Sequence, residues 1–189
     1  MIPPVAIYDA CVLYSAPMRD LLIRLAIGGL VRACWTEQIH IEWMRGVLAE
    51  RTTVSLESLE RCRVLMNRAV PDSLAEGYES ITSTLSLPDP DDRHVLAAAI
   101  HSGADLIVTF NLKDFPEAAL QPHGVASIHP DSFVFQLLED SEVQVCQIIH
   151  DQRTALKNPP KTVLEQLAIF DTIGLSQSVA RMHTLKDRL

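Results

Sequence analysis

Residues 87–115 read LPDPDDRHVLAAAIHSGADLIVTFNLKDF. Three aspartates, Asp89, Asp91 and Asp92, fall within four positions immediately before a run of strong helix formers. One carboxylate there explains itself, because it can accept from the free backbone N–H groups of a first helical turn. Three exceed what a cap requires. The spacing predicts a helix over 91–102 that stops at Gly103, with Asp91 or Asp92 as its cap. The segment that follows, DLIVTF at 105–110, is a continuous apolar run bounded by turn signals. That is the pattern of a strand covered on both faces of a parallel sheet.

Working outward, VAIYD predicts a short buried strand, Val5–Tyr8, that ends in Asp9. MRDLLIRLAIGG has helical spacing and stops at Gly28-Gly29. Thr36 and Ser55 stand where N-caps belong, ahead of TEQIHIEWMRGVLAER and SLESLERCRVLMNRAV. In the second of these Leu59, Cys62, Leu65, Met66 and Ala69 share a face, and Pro71 ends it. VASI, 125–128, is a third strand, and HPDSFVFQLLED a helix capped near Asp131. Apolar strands joined by long helical crossovers imply an α/β fold with a central parallel sheet. In such sheets ligands bind beyond the carboxyl ends of the strands, where Asp9 and the segment Asn111–Asp114 would lie. From Ser141 onward three helices and no strand are expected, so the chain divides into 1–140 and a helical appendage, 141–189.

The 189 residues carry a formal net charge of −8. Residues 71–140 alone carry −10, and each flank carries +1. Bulk charge therefore argues against salt-driven nucleic-acid binding. Four cysteines, Cys11, Cys34, Cys62 and Cys146, stand far apart without a C-x-x-C pair, as expected of reduced core thiols. No apolar run approaches the ~18–20 residues that span a bilayer. The start lacks the basic segment and cleavage site of a secretory leader. Both features predict a cytoplasmic protein.

Asp9 at a strand end, Glu42 on a helix, Asp92 at a helix start and Asp114 after a strand each have an ordinary explanation alone. At one sheet edge they would repel. Two unit charges ~5 Å apart cost roughly 3 kcal/mol at an effective dielectric of 20. A helix N-terminus returns only about 0.3–1 kcal/mol per anion. A divalent cation can hold such a cluster, and oxygen-only ligands select Mg²⁺ or Mn²⁺ over zinc. One aspartate of the opening trio then caps, and at least one other holds metal.

VAIYDACVLYS, Glu42, DDRHVLAAAIHSGADLIVTFNLKDF and HPDSF together resemble the PIN-domain family, which includes the VapC-type toxins of bacterial toxin–antitoxin pairs. The resemblance spans about residues 4–135. It implies a three-layer αβα fold and a Mg²⁺- or Mn²⁺-dependent endoribonuclease acting on single-stranded RNA. It further implies Asp9, Glu42 and Asp92 as the core acids, and a fourth acidic position at either Asn111 or Asp114. Thr109 resembles a family hydroxyl near the metal waters. Asp91, Arg93 and Lys113 flank the expected site, the last two as contacts to the RNA backbone. A homodimer and a cognate antitoxin are implied as well. The chain departs from the family at Cys11, where many members have Asn, and in the helices beyond 140. The alternative is a catalytically weakened RNA- or partner-binding module. A haloacid-dehalogenase-type phosphatase would want a second Asp at position 11, and a receiver domain a different order of acids.

Overall fold

The structure, a computed structural model, describes residues 2–189. β1 (Val5–Tyr8) leads through α1 (Ala10–Tyr14) and α2 (Ala16–Ile27) to β2 (Arg32–Cys34). The chain crosses back through α3 (Glu37–Glu50), α4 (Leu56–Ala69), the one-turn α5 (Glu79–Thr82) and α6 (Arg93–Ser102) to β3 (Leu106–Val108). α7 (Glu117–Leu120) then leads to β4 (Ala126–Ile128). Every pairing is parallel, in the order β2-β1-β3-β4. Ile7 lies opposite Cys34 on one side and Ile107 on the other, and Val108 lies opposite Ile128. Helices flank this sheet, and the result is the αβα architecture expected. Ala6, Ile7, Tyr8, Ile107 and Val108 are fully buried, because the two central strands have neighbours on both sides and helices above and below.

β2 is the strand the sequence does not announce. It has three residues, begins at an exposed Arg32, and lies at the sheet edge, so it shows neither alternation nor a long apolar run. α4 follows its predicted bounds and takes its Ser55 cap, but its packing stripe is narrower than expected. Leu59 and Met66 are buried, while Leu65 is 53% exposed and Ala69 also faces solvent. α6 begins at Arg93, after a 3₁₀ turn over Pro90–Asp92. The cap of that turn is Asp89, which accepts from the Asp91 N–H at 2.9 Å, and neither Asp91 nor Asp92 caps. α6 ends as predicted at Gly103, whose φ of +60° is the left-handed conformation that favours glycine.

A buried polar chain fixes α3 against its neighbours. Asn67 Oδ1 accepts from Trp35 Nε1 at 2.7 Å and meets His40 Nε2 at 2.9 Å, while Trp43 Nε1 donates to His40 Nδ1 at 2.9 Å. Indole N–H groups only donate, so His40 carries its proton on Nε2. Burial pushes its pKa below the usual histidine range. Glu42 lies between these two anchored positions on the same helix.

Beyond the sheet come α8 (Pro130–Asp140), α9 (Glu142–Ala155), α10 (Val163–Thr172) and α11 (Ser176–His183). α9 packs on α2 and α8, α10 on α11 and α2, and α11 on α8. Val145, Cys146, Ile149, Leu167, Phe170, Val179 and Met182 are buried in a core continuous with that of the sheet. The cap of α8 is His129, whose Nδ1 accepts from the Asp131 N–H at 3.2 Å. Asp131 instead caps a distant helix. Its carboxylate accepts from the N–H groups of Gln177 and Ser178, both at 2.8 Å, and from the Ser178 hydroxyl at 2.7 Å. All four cysteines are free thiols. Among the described residues no helix is long and apolar enough to cross a membrane.

Candidate metal centre

The adjacent parallel strands β1 and β3 bring their carboxyl ends together. The Asp9 N–H donates to Val108 O at 3.2 Å, which sets Asp9 beside Thr109. Asp9 is 6% exposed. Its Oδ1 accepts from the Ala10 N–H at 2.6 Å, capping α1. Its Oδ2 accepts from the Thr109 hydroxyl at 2.7 Å and from the Cys11 thiol at 3.0 Å. An ionised carboxylate offers about four lone-pair positions, so one remains for a cation. Cys11 Sγ in turn accepts from the Phe110 N–H at 3.3 Å. Burial, and then the Asp9 charge, push its pKa up to about 12. The thiol therefore stays protonated and donates to Asp9, a polar contact at the position where many family members have Asn. It is no nucleophile.

Thr109 is fully buried, and its hydroxyl also accepts from the Asn111 N–H at 2.9 Å. The Asn111 side-chain amide donates to Asp114 Oδ2, so the two residues between which the fourth position was open are bonded to each other.

Asp89, Asp92 and Asp114 each offer a carboxylate oxygen within 4.8 Å of the others. Asp92 Oδ2 is buried without a hydrogen-bond partner. Burial first, then the charges of Asp9, Asp89 and Asp114, push the Asp92 pKa up to about 6. Asp9 is thus close enough to act on Asp92 although it falls outside the tight trio. Glu42 also stands outside the trio. Its Oε1 meets His94 Nε2 at 3.0 Å and accepts from Gln38 Nε2 at 3.1 Å. His94 is 3% exposed and lies two residues beyond Asp92, so α3 is tied to α6 through this contact.

Asp91 is exposed and outside the group. Arg93 Nε donates to Pro90 O at 2.8 Å and locks the turn that carries the aspartates, while Lys113 is exposed in the turn before Asp114. Asp89 and His94 join this cluster although residue-by-residue reading does not single them out. In the sequence Asp89 is one of three closely spaced aspartates and His94 one helix residue among others, because their partners come from elements remote in sequence. The donor set fits a hard divalent cation: all oxygen, one orphaned buried carboxylate oxygen, and mutual repulsion among the acids.

A four-stranded parallel sheet with acids at its carboxyl edge defines the class. The family model described as PIN domain matches residues 5–113, more than half of the chain, and the chain belongs to the PIN-domain family. A second family model, described as the VapC50 C-terminal domain, matches residues 130–184. A Mycobacterium tuberculosis protein named "Putative ribonuclease VapC50" is 38% identical over 102 residues. The match covers 54% of this chain and 58% of that protein, so less than two thirds of the relative's length is represented. No solved structure gives a significant match.

Proposed function

We propose that the protein is a Mg²⁺- or Mn²⁺-dependent endoribonuclease that hydrolyses phosphodiester bonds of single-stranded RNA, the toxin of a toxin–antitoxin pair. Residues 1–140 form its catalytic unit and 141–189 a helical extension. The observation that carries the reading is the meeting of Asp92, Asp114 and Asp89 around a buried oxygen without a partner, with Asp9 next to them. Membership of the PIN family and the name of the mycobacterial relative support the same reading.

Asp9, Glu42, Asp92 and Asp114 would hold the metal. Bound there, Mg²⁺ or Mn²⁺ supplies an activated water and neutralises phosphate charge. The chain's own residues prepare that chemistry. Thr109 and Cys11 fix the rotamer of Asp9, Asn111 aims Asp114, and His94 holds one oxygen of Glu42. Arg93 and Lys113 flank the acids and contact the RNA phosphates. The partners are RNA, a second copy of the chain and an antitoxin protein, and the setting is cytoplasmic.

The test is magnesium-dependent cleavage of single-stranded RNA by the wild type and by Asp9→Ala and Asp92→Ala. Both variants are expected to lose activity by at least ~100-fold, about 2.7 kcal/mol of barrier. Full activity in both would overturn the site. Mn²⁺ binding without RNA cleavage by the wild type would instead favour the weakened binding module.

A further inference from the structure

We infer that Phe110 is a nucleobase subsite, held in place by the C-terminal helices, against which one base of the RNA substrate stacks. The inference rests on the ribonuclease reading and adds to it a substrate contact and a task for the extension. Among the Phe, Tyr and Trp rings of the described residues Phe110 is the most open, at 37% exposed. In the chain Phe110 stands between Thr109, which bonds Asp9, and Asn111, which bonds Asp114. Its neighbour Leu112 is 40% exposed as well.

The ring is fixed on two sides. His129 stands edge-on to it, with centroids 5.1 Å apart and planes at 79°. Gly174, in the turn between α10 and α11, approaches so closely that an added Cβ would lie 3.1 Å from Phe110 Cε1. Gly174 has φ of +90°, so position 174 favours glycine on backbone grounds as well. The same turn is pinned to the PIN core, because Asp131 caps α11 three residues later and also donates its N–H to His129. Backbone is anchored too, since the Phe110 N–H donates to Cys11 Sγ. An aromatic ring held rigid and half open is what unpaired bases of single-stranded RNA stack upon, and such stacking tolerates any base because every base has a π face.

The experiment uses the full chain and a single-stranded oligoribonucleotide, with a parallel set in which one abasic position is walked along the strand. Phe110→Ala should raise KM about five- to a hundred-fold with Mn²⁺ affinity unchanged, whereas Phe110→Trp should keep wild-type KM. For the wild type, one abasic position should weaken binding by a similar factor; for Phe110→Ala, that position should cost nothing further. Fluorescence anisotropy with Ca²⁺ reads the same contrast without cleavage. An unchanged KM and affinity in Phe110→Ala, or equal losses in Ala and Trp, would overturn the subsite. A wild type that binds RNA through Phe110 but never cleaves it would leave the subsite standing and remove the nuclease reading.

Discussion

Asp92 carries opposite demands in the metal-free and metal-bound protein. Its pKa is held near 6 by burial and by Asp9, Asp89 and Asp114, above its ordinary value. Ionising it therefore costs the metal-free fold stability: the favourable protonated state is complete at acid pH and is lost as pH rises through about 6. Asp92→Asn should raise the melting temperature of the metal-free protein while abolishing Mn²⁺ binding, as thermal scans with and without Mn²⁺ would read. In the wild type, the rise in melting temperature on adding Mn²⁺ should be smaller at pH 5 than at pH 7, because protons compete for Asp92. An equal rise at both values would mean that Asp92 is not a ligand. At Cys11, a thiol with a pKa near 12 should resist iodoacetamide at pH 8 until the protein is denatured. The residue types at Asp9, Asp92 and Asp114 were legible in the sequence because each follows or precedes a recognisable element. The pairing of Glu42 with His94 was not, since nothing in two separate helices says which faces meet.

Elements are legible in the sequence where a local signal fixes them and obscure where tertiary partners decide. α3 and α4 carry their hydroxyl caps at Thr36 and Ser55, and α6 its glycine stop at Gly103, all visible as residue patterns. β2 was not visible, because an edge strand of three residues is defined by its pairing with β1 rather than by its composition. The exchange at α8 has the same origin. A His–Pro–Asp start reads as an aspartate cap, yet His129 takes the local N–H and frees Asp131 to cap α11 46 and 47 residues away. Asp131 is 8% exposed and its bonds are charge-assisted. Its replacement by Ala should therefore cost about 2–4 kcal/mol in urea denaturation, within the range for losing a cap and buried bonds to a charge. Asp131→Asn should recover part of that loss. A cost under about 0.5 kcal/mol would show that the α8–α11 joint is held by apolar packing alone.

On the scale of the whole molecule, Asp89, Asp92 and Asp114 bring part of the acidity of residues 71–140 to the candidate centre, and a bound cation would invert that field locally. RNA binding should therefore depend on the divalent ion, and chelation should weaken it more than a rise in salt does. The helices after 140 share one continuous core with the sheet, through α9 on α2 and α11 on α8. A fragment ending at residue 140 is accordingly expected to expose those faces and to aggregate, which light scattering would detect. The parallel sheet itself was legible from two apolar runs. The tight joining of extension and core was not, because it depends on which faces of four helices meet. The most direct measurement of the central claim is anomalous diffraction from crystals of the full chain soaked in Mn²⁺. A peak is expected among Asp9, Asp92 and Asp114, about 2.0–2.2 Å from carboxylate oxygens. Well-ordered aspartates with no peak between them, at millimolar Mn²⁺ and neutral pH, would contradict it.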